Sequence, residues 1–173
     1  LSGSKSISQR VLIINYLNNN HSKIRNLSNS EDAFVLINAL NSDQKVINLK
    51  QSGTALRFLI TLFSYKKRNV VLEGDSSLFE RPISPLINAL NLLGANVEKN
   101  NKNIIIHESH LIGGKIYLNK INTSQFISSL LLVSPYIKNG IHLIFDQNIC
   151  SKPYIHMTTS IMKSCGAKLQ SFF

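Results

Sequence analysis

The chain has 173 residues, which is about the size of one domain and enough to bury a sizeable core. Hydrophobic residues make up 43% and charged residues 16% of the chain, a balance that is typical of a folded globular protein and excludes a disordered one. The formal net charge of +10 favours anionic partners, but it does not choose among nucleic acid, a membrane surface and a metabolite.

The sequence gives no sign of a membrane, secreted or metal-binding protein. We expect no signal peptide, and no apolar stretch reaches the ~18–20 residues of a membrane span. Cys150 and Cys165 form neither a CxxC pair nor a disulfide framework, and His107 and His110 belong to no Cys/His cluster. We therefore expect a cytoplasmic protein without a metal site. Because the chain starts at Leu1, without methionine and within its first motif, we expect it to be a segment of a longer polypeptide.

Helical and extended patterns alternate along the chain. Six segments with apolar residues at helical spacing are predicted as α-helices, and they are 6–17, 31–40, 54–64, 83–93, 124–133 and 154–165. Six short runs between them are predicted as strands, and they are 46–49, 69–73, 96–98, 104–107, 115–118 and 141–146. Short connections and the absence of a long linker predict a single α/β domain.

Part of this pattern occurs twice. Each copy has a cation followed by proline, a helix, a Gly-Ala pair and a short extended run. The copies begin at Arg81-Pro82 and Lys152-Pro153, where we expect the helices to start, and end with predicted strands at 96–98 and 168–170. Two such copies indicate a domain built from repeated β/α units.

Polar and cationic groups stand at the predicted start of five helices. A helix start offers unpaired N–H groups and the positive end of the helix dipole, so it favours anions. Each motif alone also fits an ordinary capped helix or a surface ion pair, but five in one basic domain favour a site for a small, multiply negative molecule. The motifs are Gly3-Ser4-Lys5-Ser6 with Arg10, Ser52-Gly53-Thr54 with Arg57, Glu80-Arg81-Pro82, Thr123-Ser124-Gln125 and Ser151-Lys152-Pro153-Tyr154.

These motifs resemble those of the 5-enolpyruvylshikimate-3-phosphate (EPSP) synthase family, the 3-phosphoshikimate 1-carboxyvinyltransferases of the shikimate pathway. They occur in the order in which the family has them, and they run across nearly the whole chain. The matching stretches are Leu-Ser-Gly-Ser-Lys-Ser-Ile-Ser-Gln-Arg (1–10), Ser-Gly-Thr-Ala-Leu-Arg-Phe-Leu (52–59), Glu-Arg-Pro-Ile (80–83), Ser-Gln-Phe-Ile-Ser-Ser-Leu-Leu (124–131) and Ser-Lys-Pro-Tyr-Ile (151–155).

The resemblance implies an architecture. Family members have two similar inside-out α/β globes of repeated β/α units, with helices inside, sheets outside and the active site in the cleft between the globes. Residues 1–173 would then be one globe, the one that binds shikimate 3-phosphate. The resemblance implies a monomer whose partner is the second globe of the same enzyme, with no nucleic acid or membrane partner. We expect the isolated segment to bind substrate without turnover.

The resemblance also implies a reaction and its residues. An enolpyruvyl group passes from phosphoenolpyruvate to the 5-hydroxyl of shikimate 3-phosphate, without a cofactor, in chorismate and aromatic amino acid biosynthesis. Lys5 would be catalytic and contact both substrates. The other residues implied for phosphoenolpyruvate are Gly53, Thr54 and Arg81, and those for shikimate 3-phosphate are Ser6, Arg10, Thr123, Ser124, Gln125, Ser151 and Tyr154.

Some positions depart from the family pattern, and three alternatives stay open. Gln51 stands where asparagine is usual, Ser2 and Phe58 stand where proline is common, Thr123 replaces serine, and the stretch between Leu40 and Val46 is short. One alternative is a degenerate, purely structural relative. The UDP-N-acetylglucosamine enolpyruvyl transferases are a second, although they use a loop cysteine. A basic nucleic-acid-binding module is a third, although the aromatic residues stand at core-like positions.

Overall fold

A computed structural model describes residues 2–118, 123–145 and 151–170. Leu1, Cys150 and residue 146 of the sixth predicted strand lie outside these ranges. The helices are α1 (Lys5–Leu17), α2 (Glu31–Leu40), α3 (Gly53–Tyr65), α4 (Ser76–Glu80), α5 (Ser84–Leu92), α6 (Ser124–Val133) and α7 (Lys152–Ser164), with a 3-10 turn at Ser134–Tyr136. The strands are β1 (Val46–Asn48), β2 (Val70–Glu73), β3 (Asn96–Lys99), β4 (Asn103–His107), β5 (Gly114–Leu118) and β6 (Ile141–Phe145).

The strands form two sheets. The first has the order β1-β2-β4-β3, with β1 parallel to β2 and the other neighbours antiparallel. The second contains β5 and β6 in parallel, with Gly114 opposite Ile141. In each sheet a helix connects the two parallel strands, α3 between β1 and β2 and α6 between β5 and β6. The structure therefore contains two β-α-β units, and these are other segments than the two copies predicted from the sequence.

The two connecting helices form the centre of the molecule. Eleven of the thirteen residues of α3 and eight of the ten residues of α6 are buried, so both are enclosed on nearly all sides. Thr61 of α3 donates a hydrogen bond to Ser129 of α6 at 3.2 Å, where both side chains are fully buried. Strands such as β4 instead alternate between buried and partly exposed residues. Helices inside and sheets outside confirm the inside-out α/β globe.

The six helices and six strands predicted from the apolar spacing are all present. Their ends differ from the predicted ends by two residues or fewer. The short helix α4 and the 3-10 turn were not predicted, because a helix of five residues is too short to show a period. None of the described helices is both long and apolar enough to cross a membrane.

Two details of the predicted repeat are wrong. Arg81-Pro82 does not begin a helix, because α4 ends just before it and Arg81 is extended (φ −68°, ψ 144°), as the residue before a proline usually is. Helix α5 begins at Ser84 instead, with Pro85 in its first turn. In the second copy Pro153 does lie in the first turn of α7. Residues 168–170, predicted as a strand, pair with no strand in the described part of the chain.

The connection between α2 and β1 is as short as the sequence indicates, since only residues 41–45 separate them. The guanidinium of Arg68 donates to the carbonyl oxygens of Ser42 at 2.6 Å and Gln44 at 2.8 Å. It also lies 4.7 Å from the ring centroid of Phe63. One arginine therefore fastens this connection to the end of α3.

The burial of α3 leads to a stability prediction. Leu59 is fully buried at the centre of α3, so Leu59→Ala removes packed atoms and is expected to lower the free energy of unfolding by about 2–5 kcal/mol. Leu92 is 80% exposed, and Leu92→Ala should change that free energy by less than about 0.5 kcal/mol. Urea unfolding followed by circular dichroism measures both. Equal losses in the two variants would show that α3 is not the buried core helix.

Candidate functional site

The starts of four helices meet at one cavity of about 410 Å³. Lys5 is the first residue of α1, Glu31 of α2 and Gly53 of α3, and Gln125 is the second residue of α6. Arg81 reaches the same cavity from the connection between α4 and α5. Because each helix start presents free N–H groups and a positive dipole end, their convergence makes a site for an anion. The lining residues are Lys5, Glu31, Asp32, Val35, Lys50, Gln51, Ser52, Gly53, Thr54, Arg81 and Gln125.

The charged side chains of the cavity are partly paired with one another. The Lys5 ammonium donates to an Asp32 carboxylate oxygen at 2.7 Å, and the Lys50 ammonium donates to Glu31 at 2.6 Å. Arg81 has no carboxylate within ion-pair distance among the described residues. The cavity therefore keeps an excess of positive charge, and that excess resides on Arg81.

The pKa of Asp32 reports the electrostatics of the cavity. Burial of the carboxyl opposes its ionisation, but the hydrogen bond from Lys5 and the positive charges of Lys5 and Arg81 outweigh that effect. The pKa of Asp32 is consequently lower than its usual value. Asp32 is therefore ionised at neutral pH and holds the Lys5 ammonium at the cavity.

Gly53 is required by the close approach of two arginines. A Cβ atom at this position would lie 2.7 Å from an amino nitrogen of Arg81 and 2.8 Å from one of Arg57. Any larger residue would push both guanidinium groups away. The next residue, Thr54, accepts a hydrogen bond from the side-chain amide of Gln125 at 3.1 Å. That bond links the start of α3 to the start of α6.

Gln51 lines the cavity and is also tied to the residue before α4. Its side-chain amide donates to the Asp75 carboxylate at 2.8 Å. The longer side chain that stands in place of the usual asparagine is thus accommodated by a hydrogen bond to a neighbouring loop.

The other predicted site residues lie outside the lining of this cavity. Thr123 caps α6, since its hydroxyl accepts a hydrogen bond from the backbone N–H of Gln125 at 3.2 Å, and Ser124 beside it is buried. Ser151 is exposed before α7, with a left-handed backbone (φ 72°), and the Tyr154 ring is 44% exposed in the first turn of α7.

Arg10 is buried among α1, α6 and α7. Its Nε donates to the Thr158 hydroxyl at 2.6 Å, and its amino groups donate to the carbonyl oxygen of Ser6 at 2.8 Å and the hydroxyl of Ser128 at 3.2 Å. The guanidinium also lies 5.9 Å from the ring centroid of Tyr154. We call these five residues the Arg10 cluster. Burial lowers the pKa of Arg10 to about 10, so the group stays charged at neutral pH.

The structure thus brings five of the predicted residues together and separates the rest. Lys5, Gly53, Thr54, Arg81 and Gln125 line one cavity, as the interpretation of the helix starts predicts. Sequence reasoning missed three charged lining residues. Two of them, Glu31 and Asp32, follow the capping Ser30 at the start of α2, where acidic residues are usually explained by the helix dipole alone. The third, Lys50, follows β1, where nothing in the pattern set it apart.

No group of three or more His, Cys, Asp or Glu side chains suited to a metal ion occurs in the described ranges.

An α/β globe whose internal helices turn their N-terminal ends toward one positively charged cavity belongs to the class of proteins built to hold small anions. The family model of EPSP synthase (3-phosphoshikimate 1-carboxyvinyltransferase) matches residues 35–171. The chain therefore belongs to the EPSP synthase family.

Individual relatives agree with the family match. A 3-phosphoshikimate 1-carboxyvinyltransferase from Bacteroides fragilis (strain YCH46) is 39% identical over 171 residues, which cover 96% of this chain and 42% of the relative. A protein of the same name from Buchnera aphidicola subsp. Acyrthosiphon pisum (strain Tuc7) is 33% identical over 199 aligned positions, covering 98% of this chain and 47% of the relative. The chain thus spans less than half the length of these relatives. The nucleic-acid module and the UDP-N-acetylglucosamine transferase are not favoured.

A solved structure shows the same fold. EPSP synthase from Acinetobacter baumannii superposes with a TM-score of 0.81 at 18% identity, covering 99% of this chain and 44% of that one. At this identity the likeness establishes the fold of the globe.

The Asp32 carboxylate gives the site a measurable pH dependence. Asp32→Asn removes the negative charge that pairs with Lys5, and because that pair is partly exposed, we expect the free energy of unfolding at pH 6 to fall by at most about 1 kcal/mol. The folded pKa lies below the usual 3.8, so this difference should be full above about pH 4 and shrink as the pH falls through the folded pKa.

Urea unfolding at about pH 6, 4 and 3 measures the difference between the wild type and Asp32→Asn. Asp43→Asn, at an exposed position outside the cavity lining, is the matched control. A difference for Asp32→Asn that stays constant down to the lowest pH would contradict the charge assignment.

Proposed function

We propose that this chain is the shikimate 3-phosphate-binding globe of a 3-phosphoshikimate 1-carboxyvinyltransferase. The observation that carries the proposal is the meeting of four helix starts with Lys5 and Arg81 at one cavity. Phosphate and carboxylate groups are the ligands that suit such a site, because helix N–H groups, an ammonium and a guanidinium all donate hydrogen bonds to anionic oxygens.

The cavity is proposed as the place of phosphoenolpyruvate. Arg81 has the free positive charge and the forked donors that a carboxylate or phosphate needs. Gly53 and Thr54 supply the start of α3, and the missing side chain of Gly53 lets the Arg81 guanidinium lie against that helix start. Lys5, already held at the cavity by Asp32, adds a second cation that a bound anion would share.

Shikimate 3-phosphate is proposed to lie beside that cavity, toward the Arg10 cluster. The residues proposed to contact it are Lys5, Ser6, Arg10, Thr123, Ser124, Gln125, Ser151 and Tyr154. Lys5 and Ser6 are adjacent on α1, and Gln125 follows Thr123 and Ser124 at the start of α6. A ligand at this position would therefore touch both the first turn of α1 and the first turn of α6.

The proposed reaction is an addition followed by an elimination. The 5-hydroxyl of shikimate 3-phosphate attacks C2 of phosphoenolpyruvate while C3 gains a proton, and the tetrahedral adduct then loses phosphate. Two anions that repel each other must be held in contact, so a dense set of cations and N–H dipoles supplies what the reaction needs. Lys5 is proposed as the catalytic group because it lies between the two proposed substrate positions.

The proposed scope is that of one globe. Because the chain spans less than half the length of its curated relatives, we propose that the groups completing the active site belong to a second globe. The 173 residues alone would then bind substrates and show no turnover. The protein is further proposed to act as a monomer in the cytoplasm.

Calorimetry with phosphoenolpyruvate tests the cavity. Arg81→Gln and Lys5→Ala each remove a charge-assisted hydrogen bond worth roughly 1.5–3 kcal/mol, so we expect the dissociation constant to rise about tenfold or more. Lys138→Ala removes an exposed cation outside the cavity and should change it less than about twofold. Equal heats for the wild type and all three variants would refute the proposed site.

Calorimetry with shikimate 3-phosphate separates the two roles of Arg10. Arg10→Ala should lower both the stability and the affinity, because the guanidinium is a buried link among helices as well as a proposed ligand. Ser128→Ala removes one partner of Arg10 and keeps the cation, so we expect about 1 kcal/mol less stability and an affinity within about twofold of wild type. An affinity that falls equally in both variants would mean that Arg10 acts only through the packing of α6.

A further inference from the structure

We propose that Arg57 is a positioning residue that holds the guanidinium of Arg81 at the anion cavity. Arg57 is only 6% exposed and is not among the residues that line the cavity. Arg57 would therefore act through Arg81 and not through contact with a ligand. The inference depends on the proposed function, because it assumes that Arg81 binds an anion.

The hydrogen bonds of Arg57 connect the two segments that build the cavity wall. One amino group donates to the carbonyl oxygen of Gly53 at 2.7 Å, and the other donates to the carbonyl oxygen of Pro82 at 3.1 Å. Gly53 begins α3, and Pro82 directly follows Arg81 in the connection between α4 and α5. A single planar guanidinium thus fixes the distance between the helix start and the arginine that face the same anion.

The connection that carries Arg81 needs such a fixed point. Arg81 and Pro82 lie outside any helix or strand, and Pro82 has no N–H group to donate. The bond from Arg57 engages the carbonyl group of Pro82. Without it, the connection would keep backbone freedom that anion binding would then have to remove.

The arrangement also places like charges close together. Amino nitrogens of Arg57 and Arg81 both approach Gly53 so closely that a Cβ atom there would lie within 2.8 Å of each. Burial, together with the positive charge of Arg81, lowers the pKa of Arg57 to about 10. The Nε of Arg57 is buried and has no hydrogen-bond partner among the described residues. An anion held by Arg81 would offset this repulsion, whereas a purely structural link has no need of a second cation beside it.

Arg68 provides a matched control within the same chain. Like Arg57, it donates hydrogen bonds to two backbone carbonyl oxygens, and it lies 4.7 Å from the ring centroid of Phe63. Arg57 lies 5.5 Å from the ring centroid of Phe126. Arg68 fastens the connection between α2 and β1 and is not part of the cavity lining. Arg68 is half-buried whereas Arg57 is buried, so the loss of Arg68 should loosen a connection elsewhere in the globe without an effect on anion binding.

The test is a double-mutant cycle in the 173-residue chain, read out by calorimetry with phosphoenolpyruvate and, separately, with inorganic phosphate. The variants are Arg57→Lys, Arg81→Gln, the double variant and Arg68→Lys, each also followed by urea unfolding. Lysine keeps the charge and the stem, so the chain should fold, but one ammonium does not reproduce the fork that spans the Gly53 and Pro82 carbonyls.

We expect Arg57→Lys to weaken binding of both probes about tenfold and Arg68→Lys to change it less than about twofold. In the Arg81→Gln background, Arg57→Lys should change the affinity less than about twofold, because it acts through Arg81. The same tenfold loss in both backgrounds, or no greater loss than for Arg68→Lys, would overturn the inference while leaving the proposed function intact. Unchanged affinity in Arg81→Gln itself would overturn both.

Discussion

The contact between α3 and α6 determines where the other parts of the site lie. Thr54 meets Gln125 at the start of the two helices, and Thr61 meets Ser129 farther along, so the helices run in the same direction. Both connect parallel strands of their sheets, and both are buried on nearly all sides. With the two central helices parallel, their starts fall at the same end of the globe, and α1 and α2 add their own starts there. The position of the positively charged cavity is therefore a consequence of how two β-α-β units pack. The helices bury apolar surface against each other, and their dipoles align as a result.

Cations brought close together repel one another, and the structure partly offsets this repulsion. Carboxylates of α2 hold Lys5 and Lys50 at the rim, and carbonyl groups hold Arg57. Partial pairing of this kind keeps the two lysines near the cavity with donors to spare, since an ammonium has three donors and each lysine pairs with a single carboxylate. Arg81 is the exception among these cations, and its charge is available to a ligand. A cationic site whose side chains are already held by ion pairs and hydrogen bonds can bind an anion without first ordering those side chains.

Much of this fold could be predicted from the sequence because its helices and strands are short, regular and apolar on the correct faces. The predicted start at Arg81-Pro82 was wrong because a proline near a helix is ambiguous, as it favours the first turn but also forces the residue before it to be extended. The predicted strand at 168–170 rested on an analogy between two copies, and pairing depends on a neighbouring strand that a local pattern does not show. Within the site, the helix-start motifs predicted Lys5, Gly53, Thr54 and Gln125 at the cavity because caps and glycines are local signals. The burial of Arg10 was beyond such reasoning, since its partners Ser128 and Thr158 are 118 and 148 residues away in the chain.

The cavity and the Arg10 cluster are adjacent because the same two helices serve both. Helix α1 presents Lys5 to the cavity and, five residues later, Arg10 to the cluster. Helix α6 presents Gln125 to the cavity and, three residues later, Ser128 to the Arg10 cluster. The proposed reaction joins two anions, and the proposal gives one of them the cavity and the other the Arg10 cluster as its positive partner. Lys5, which lines the cavity and precedes Arg10 on α1, is the cation that the proposal assigns to both substrates. The proposed arrangement thus uses successive polar residues of the same two helices for the two substrates.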